Sequence, residues 1–200
     1  MSEPRPVLLL DVMSTLVTEP FLEAMPRFFG MTFEEFRASR DPKRWVEFEH
    51  GRITEAEYVK DYFDDGRKLD VDAFKKMLYH SYEWMDGVEP LLERLKAASY
   101  PMYALSNYSQ WYKIIESKLT PSRFLGWDFV SCETGYRKPQ AQAYTTPIER
   151  LQRPAADFIF VDDRQINVDA ATKAGMKGIL RTPNIEDLVR DLKAAGIANI

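Results

Sequence analysis

The chain has 200 residues, 45% hydrophobic and 29% charged, with a formal net charge of -4 and a pI near 5.4. That length carries one core, or one core with a small insert, and the acidic balance argues against general nucleic-acid binding, which calls for a basic face. The single cysteine, Cys132, excludes an internal disulfide and fits a reducing compartment.

No apolar run approaches the roughly 18 residues that span a bilayer. The opening Met-Ser-Glu-Pro-Arg-Pro has neither an apolar signal region nor an Arg/Ser-rich transit pattern. The expectation is a soluble intracellular protein, cytoplasmic, or in the chloroplast stroma if a transit peptide has been removed. It would be a monomer or weak dimer, with no nucleic-acid and no membrane partner.

In chain order, Val7–Val12 reads V-L-L-L-D-V, a run suited to a strand buried on both faces of a parallel sheet. Residues 18–86 then hold no convincing strand. Thr32 with Glu35 forms a capping box flanked by Met31 and Phe36, and Thr54 with Glu57 repeats it between Ile53 and Tyr58. A third helical stretch runs from about Val71 to Tyr82. The segment is rich in aromatics, among them Phe28, Phe29, Trp45, Phe48, Tyr62 and Phe63.

Beyond it, helix and strand alternate. Pro90–Ala98 places Leu91, Leu92 and Leu95 on one helical face, and Trp111–Leu119 repeats the spacing. Strand-like runs fall at Met102–Leu105, Phe129–Cys132, Phe158–Val161 and Gly178–Leu180. Val168–Ala174 is a helix ended by Gly175, and Ile185–Ala195 one capped by Asn184 and ended by Gly196. The pattern predicts an α/β fold: a Rossmann-like parallel sheet with helices on both faces, with a small all-helical cap inserted after the first strand. The core would be residues 1–17 and 87–200, the cap residues 18–86.

In such sheets ligands bind beyond the carboxyl ends of the strands. The first run ends in Asp11, the second in Ser106-Asn107, and the fourth in Asp162-Asp163; Arg137-Lys138-Pro139 follows the third. A parallel sheet brings three carboxylates, a hydroxyl and a lysine to one edge. Three close carboxylates do not all ionise without a counter-charge. Mg²⁺, which prefers oxygen ligands and keeps water and phosphate in its shell, supplies one. That set suits phosphoryl transfer, with Asp11 able to attack phosphorus, Ser106 to hold phosphate oxygens and Lys138 to offset charge.

These motifs resemble the haloacid dehalogenase-like (HAD) superfamily: L-L-L-D-V-M-S-T-L-V, L-S-N, R-K-P and F-I-F-V-D-D-R, continued by N-V-D-A-A-T-K-A-G-M-K-G-I. The resemblance implies a hydrolase that binds Mg²⁺ and releases phosphate from a small-molecule ester. Asp11 would be nucleophile and metal ligand, with the Met13 backbone carbonyl, Asp162 and Asp163 completing the metal site. Asp163 is favoured as direct ligand and Asp162 as its helper. Thr15 would brace the loop, Ser106 and Asn107 would bind phosphate, and Lys138 would bridge phosphate and Asp11.

Such phosphatases usually carry a second Asp where Met13 stands, and Met13 cannot move a proton. Three readings stay open: a slow phosphatase acting on an easy leaving group, a proton supplied by the cap (Glu47, Glu49 or His50), or a chain that has lost catalysis. The stretches W-V-E-F-E-H-G-R-I-T-E-A-E-Y, P-F-L-E-A-M-P-R-F-F-G-M and N-Y-S-Q-W-Y-K-I-I-E-S-K-L resemble the plant and algal flavin mononucleotide hydrolases. That subfamily implies a Met at the same position and an acid where Ser14 stands. Trp45, Phe48, Tyr108, Trp111 and Tyr112 are candidates to stack on a flavin ring. A metal-independent dehalogenase would not need the Asp162-Asp163 pair. A phosphonate hydrolase would need a cap lysine, for which Lys43 and Lys60 have no special setting. A non-catalytic phosphate-binding scaffold would not need Asp11, Ser106, Lys138 and Asp163 together.

Overall fold

The computed structural model describes residues 5–200; residues 1–4 of the expected core lie outside the described residues. Among the described residues are five strands: β1 (Val7–Leu10), β2 (Met102–Ser106), β3 (Gly126–Val130), β4 (Phe158–Asp162) and β5 (Lys177–Leu180). All neighbours pair in parallel, in the order β3-β2-β1-β4-β5. β1 and β4 are buried along their whole length, as expected of central strands covered on both faces.

The two faces bury different residues. Leu8, Leu10, Ile159 and Val161 join a core with Leu91, Leu92 and Leu95 of α6 (Val88–Ala97), Ile115 of α7 (Tyr112–Leu119) and Leu188 and Leu192 of α11 (Ile185–Ala194). Val7, Leu9, Phe158 and Phe160 pack on the other side against Tyr144 of α9 (Ala141–Leu151) and Ala171 of α10 (Gln165–Lys173). Alternate side chains of a strand point to opposite faces, so helices on both faces follow from the run itself. A short α8 (Ser131–Thr134) follows β3.

Between β1 and α6 the described residues contain no named strand but five helices: α1 (Ala24–Phe28), α2 (Phe33–Ala38), α3 (Pro42–Glu49), α4 (Glu55–Lys60) and α5 (Val71–Ser81). Both capping boxes form. Glu35 N donates to Thr32 Oγ1 (3.2 Å) and Thr32 N to Glu35 Oε2 (2.8 Å); Glu57 N and Thr54 N repeat the exchange at 3.2 and 2.7 Å. The aromatics between these helices pack on one another: Phe29 lies 4.9 Å from Phe63 and 5.6 Å from Phe74. The chain's two crossings run side by side. Thr18 N donates to Glu83 O, and Met85 N to Leu16 O, both at 2.9 Å.

Some boundaries differ from expectation. The third strand is Gly126–Val130, not Phe129–Cys132, and Cys132 lies in α8. β3 is an edge strand whose first three residues are not buried, so no apolar run marks its start. The helices α1, α3, α8 and α9 are not among the elements expected from the sequence. For α3 a start signal stands in the chain: Asp41 accepts from Lys43 N at 2.9 Å, with Pro42 at the first helical position.

Candidate active site

From β1 outward to β3 the chain builds one side of the sheet; β4 then returns to the other side of β1. The crevice at such a reversal is where open α/β sheets bind ligands. Asp11 stands just past β1, where its N–H extends the pairing by donating to Val161 O at 2.9 Å. Asp162 ends β4 and Asp163 follows it. Asp11, Asp162 and Asp163 each offer a carboxylate oxygen within 4.8 Å of the others.

Lys138 joins them from the loop after α8. Its Nζ donates to Asp11 Oδ1 and to Asp162 Oδ2, each at 2.6 Å, and the residue is buried. Asn107 fixes that loop: Lys138 N donates to Asn107 Oδ1 at 2.7 Å, and Asn107 Nδ2 donates to Lys138 O at 2.8 Å. Asn107 also lines the cavity described below, so the side chain expected at phosphate also positions the lysine. Thr15 Oγ1 donates to Asp11 Oδ2 at 3.2 Å. Asp162 is held by Arg164 N (2.9 Å) and by Asn167 Nδ2 at 2.9 and 3.1 Å. Asp163 is exposed.

Burial pushes the Asp11 carboxyl up to about 6; the Lys138 charge opposes this, and Asp162 adds to it. Burial also works against the Lys138 ammonium, but the Asp11 and Asp162 charges outweigh it and hold the amine above its usual value. Burial raises Asp163, with the Asp162 charge next in size.

Above these charges lies a cavity of about 270 Å³, lined by Asp11, Met13, Asn107, Lys138 and Asp163 from the sheet edge and by residues of the insert. Trp45, Tyr108 and Trp111 of the expected aromatic set line it, joined by Tyr58 and Tyr62. Phe48 does not. It is buried, stacked on Tyr58 at 4.6 Å and set edge-on to Trp111 at 5.1 Å. The expectation of Phe48 as a substrate contact is therefore corrected: its ring is buried between Tyr58 of α4 and Trp111 after β2, away from the cavity. Tyr112 is also off the cavity, 4.9 Å from Trp127 with its hydroxyl on Glu133. Ser106, the last residue of β2, is buried and is not among the lining residues.

Of the three expected cap proton donors, Glu47 pairs with Arg52 at 2.9 Å and His50 Nδ1 donates to Val46 O (2.8 Å); neither lines the cavity. Glu49 lines it, in an ion pair with Arg137 at 2.6 Å. Burial lifts Glu49 to about 7 against the pull of Arg137. Two lining residues had no signal in the sequence, Glu19 and Arg40. Both sit outside any periodic pattern, and only the tertiary fold carries them to the cavity.

A family model for haloacid dehalogenase-like hydrolases matches residues 8–175. The chain belongs to the haloacid dehalogenase-like hydrolases. It is 40% identical over 192 residues to flavin mononucleotide hydrolase 1 of Arabidopsis thaliana, named as chloroplastic, covering 96% of this chain and 78% of that protein. A HAD family enzyme of Bacteroides thetaiotaomicron, solved with magnesium and inorganic phosphate, superposes with a TM-score of 0.73 at 19% identity, over 90% of this chain and 96% of the other. A HAD phosphatase of Thermococcus onnurineus superposes with a TM-score of 0.64 at 17% identity, over 98% and 100%. These two likenesses bear on the fold, which as a HAD-like α/β sheet agrees with the expected class.

Proposed function

We propose that this HAD-like hydrolase is a phosphatase that hydrolyses flavin mononucleotide to riboflavin, with Asp11 forming an aspartyl-phosphate and Mg²⁺ as cofactor. One observation carries the reading: three carboxylates and a buried lysine meet at the floor of a cavity whose walls are aromatic. The likeness to a flavin mononucleotide hydrolase over 96% of the chain supports the substrate.

The donor set fits Mg²⁺, being all oxygen and negatively charged around one point. Asp11, Asp163 and the Met13 carbonyl would hold the ion directly. Asp162, whose oxygens are engaged by Lys138, Asn167 and Arg164 N, would act as helper. When bound, the ion offsets charge on the phosphoryl group and on the carboxylates.

The protein's own residues do the rest. Lys138 holds the Asp11 Oδ1 and stands ready to pair with a phosphate oxygen, while Thr15 fixes the other Asp11 oxygen. Asp11 is thereby oriented before substrate arrives, and preorganised charge of this kind is the largest source of rate in phosphoryl transfer. Asn107, which lines the cavity, would hold a phosphate oxygen, with Ser106 buried just behind it at the end of β2 reaching the phosphate only if the site opens, and Trp45, Tyr108 and Trp111 flank the ring of the leaving group. Residues 18–86 act as a cap over the core of 1–17 and 87–200, excluding water while the ester reacts. The Arabidopsis name supports a chloroplast location.

The test is phosphate release from a panel of esters with and without Mg²⁺. Magnesium-dependent release fastest from flavin mononucleotide supports the whole reading. Release from other esters alone discards the flavin and keeps the phosphatase. No release from any ester, in folded protein that binds Mg²⁺, leaves a binding module.

A further inference from the structure

The alcohol of an alkyl phosphate leaves as an alkoxide, a strong base that departs readily only if it takes a proton as the P–O bond breaks; such help is typically worth about 10²–10⁴-fold. Met13, next to the nucleophile, has none to give, and Lys138 is committed to two carboxylates. The loop after β1 turns sharply here. Ser14 takes φ +57°, Ser14 N donates to Val17 O at 2.8 Å, and Leu16 N and Val17 N both donate to Val12 O at 2.9 Å. Met13 and Val17 form a bridge. The chain is folded back on itself, so that Glu19 lines the cavity together with Asp11, Met13 and Asp163.

Resting on the phosphatase reading, we propose that Glu19 is the acid–base residue of this site, giving its proton to the leaving oxygen and taking one from the water that follows. Asp11 attacks phosphorus; the bond to the ester oxygen breaks, and that oxygen leaves with the electron pair and the Glu19 proton. Water then adds to phosphorus, giving its proton to the Glu19 carboxylate. The acyl-phosphate bond breaks and frees Asp11 and inorganic phosphate, with Glu19 protonated again.

Glu19 suits this work. One oxygen accepts from Phe21 N at 2.9 Å, and the other has no hydrogen-bond partner among the described residues. It shares the cavity with Asp11 and Asp163 of the sheet edge, Tyr108 after β2 and Glu49 of α3, and with the cations Arg40, Arg137, Lys138 and Arg164. Arg137 is paired with Glu49, and Lys138 with Asp11 and Asp162. Burial raises its carboxyl above the usual carboxylate range, which favours the protonated form that a leaving oxygen needs. Glu49 is lifted as far, but its Oε2 is 2.6 Å from Arg137, which ties it to the loop beside it.

The experiment compares kcat/KM for flavin mononucleotide, an alkyl ester, with that for p-nitrophenyl phosphate, whose leaving group needs no proton. Glu19→Gln is expected to lose about 10²–10⁴-fold on the first and less than about tenfold on the second. Glu19→Asp, which keeps a proton, is expected to recover at least about tenfold of that loss. Circular dichroism and calorimetric Mg²⁺ binding confirm that each variant is folded. Equal losses on both esters, no loss on either, no recovery in Glu19→Asp, or a selective loss in Glu49→Gln instead, each overturns the role of Glu19. A wild-type protein inert toward both esters removes the phosphatase reading itself, and Glu19 falls with it; the two failures are thus told apart by the wild type.

Discussion

Three carboxylates within 4.8 Å repel one another, and Lys138, 2.6 Å from two of them, offsets part of that repulsion before any ion binds. Removing one member of a buried pair costs about 3–5 kcal/mol, because the partner charge is left in a poor solvent. Lys138→Met should therefore unfold at lower denaturant than the wild type when metal is chelated, with Mg²⁺ restoring part of the loss; equal midpoints would show that the lysine is not a structural charge. Asp11→Asn keeps the shape of the side chain but not a nucleophilic oxygen anion. Its phosphate release should fall to background while circular dichroism shows a folded protein, and substantial residual turnover would take the nucleophile away from Asp11. The Asp11 carboxyl stands raised to about 6 by burial, and a metal binds only its charged form. The sign follows: below about pH 6 the ion has to displace a proton, so affinity falls as pH falls, and above about pH 7 it levels off. Calorimetry at pH 5.5 in two buffers of different ionisation heat should register proton release on Mg²⁺ binding, and its absence would sink that coupling.

At the scale of elements, α3 divides its aromatics between two duties. Phe48 is 2% exposed and packs between Tyr58 and Trp111, whereas Trp45, on the same helix, is half-buried and lines the cavity. Truncating a buried Phe to Ala costs about 3–5 kcal/mol. Phe48→Ala should lower the melting temperature markedly and leave substrate preference alone. Trp45→Ala should melt nearly as the wild type does and raise KM for flavin mononucleotide more than for a small alkyl phosphate. A reversed pattern would move the ring contact to Phe48. That division was not legible in the sequence, since both residues sit on one short helix and both rings reach Tyr58 and Trp111; only the depth of burial separates them. The strand ends were legible, because β1 and β4 are unbroken apolar runs that stop at acids. The capping boxes were equally plain, being set by side chains three residues apart. α9 was hidden by Pro147, which lies inside it, and by a Gln at its N-cap whose side chain makes no capping bond to the helix. Glu19 was hidden because a turn, not a periodicity, brings it to the cavity.

At the scale of the molecule, the end of α3 is seated on the turn after β3. Ser131 Oγ donates to Glu49 O at 2.6 Å and accepts from Tyr108 N at 3.0 Å, and Arg137 pairs with Glu49 at 2.6 Å. These contacts tie the insert to the sheet edge beside Lys138, so substrate entry has to loosen them if residues 18–86 move as a cap. Gly51 closes the seat: its φ is +69°, and a Cβ there would stand 2.4 Å from Cys132 O. Gly66 has a similar φ of +77° with nothing within 4 Å of the same added atom. Both Ala variants carry the left-handed strain of roughly 1–2 kcal/mol, but only Gly51→Ala pushes backbone against backbone across the seat. Gly51→Ala should lower kcat/KM at least about tenfold and expand the protein in small-angle scattering, while Gly66→Ala loses a little stability and keeps its activity; a tenfold change corresponds to about 1.4 kcal/mol of misplaced transition-state contacts. Equal behaviour of the two variants would mean that strain alone is felt at Gly51 and that the seat does not govern the site. A loss confined to Gly51→Ala, larger for flavin mononucleotide than for p-nitrophenyl phosphate, would tie the position of α3 to the aromatic wall that Trp45 supplies, because the phosphate-binding floor on the sheet is the same for both esters.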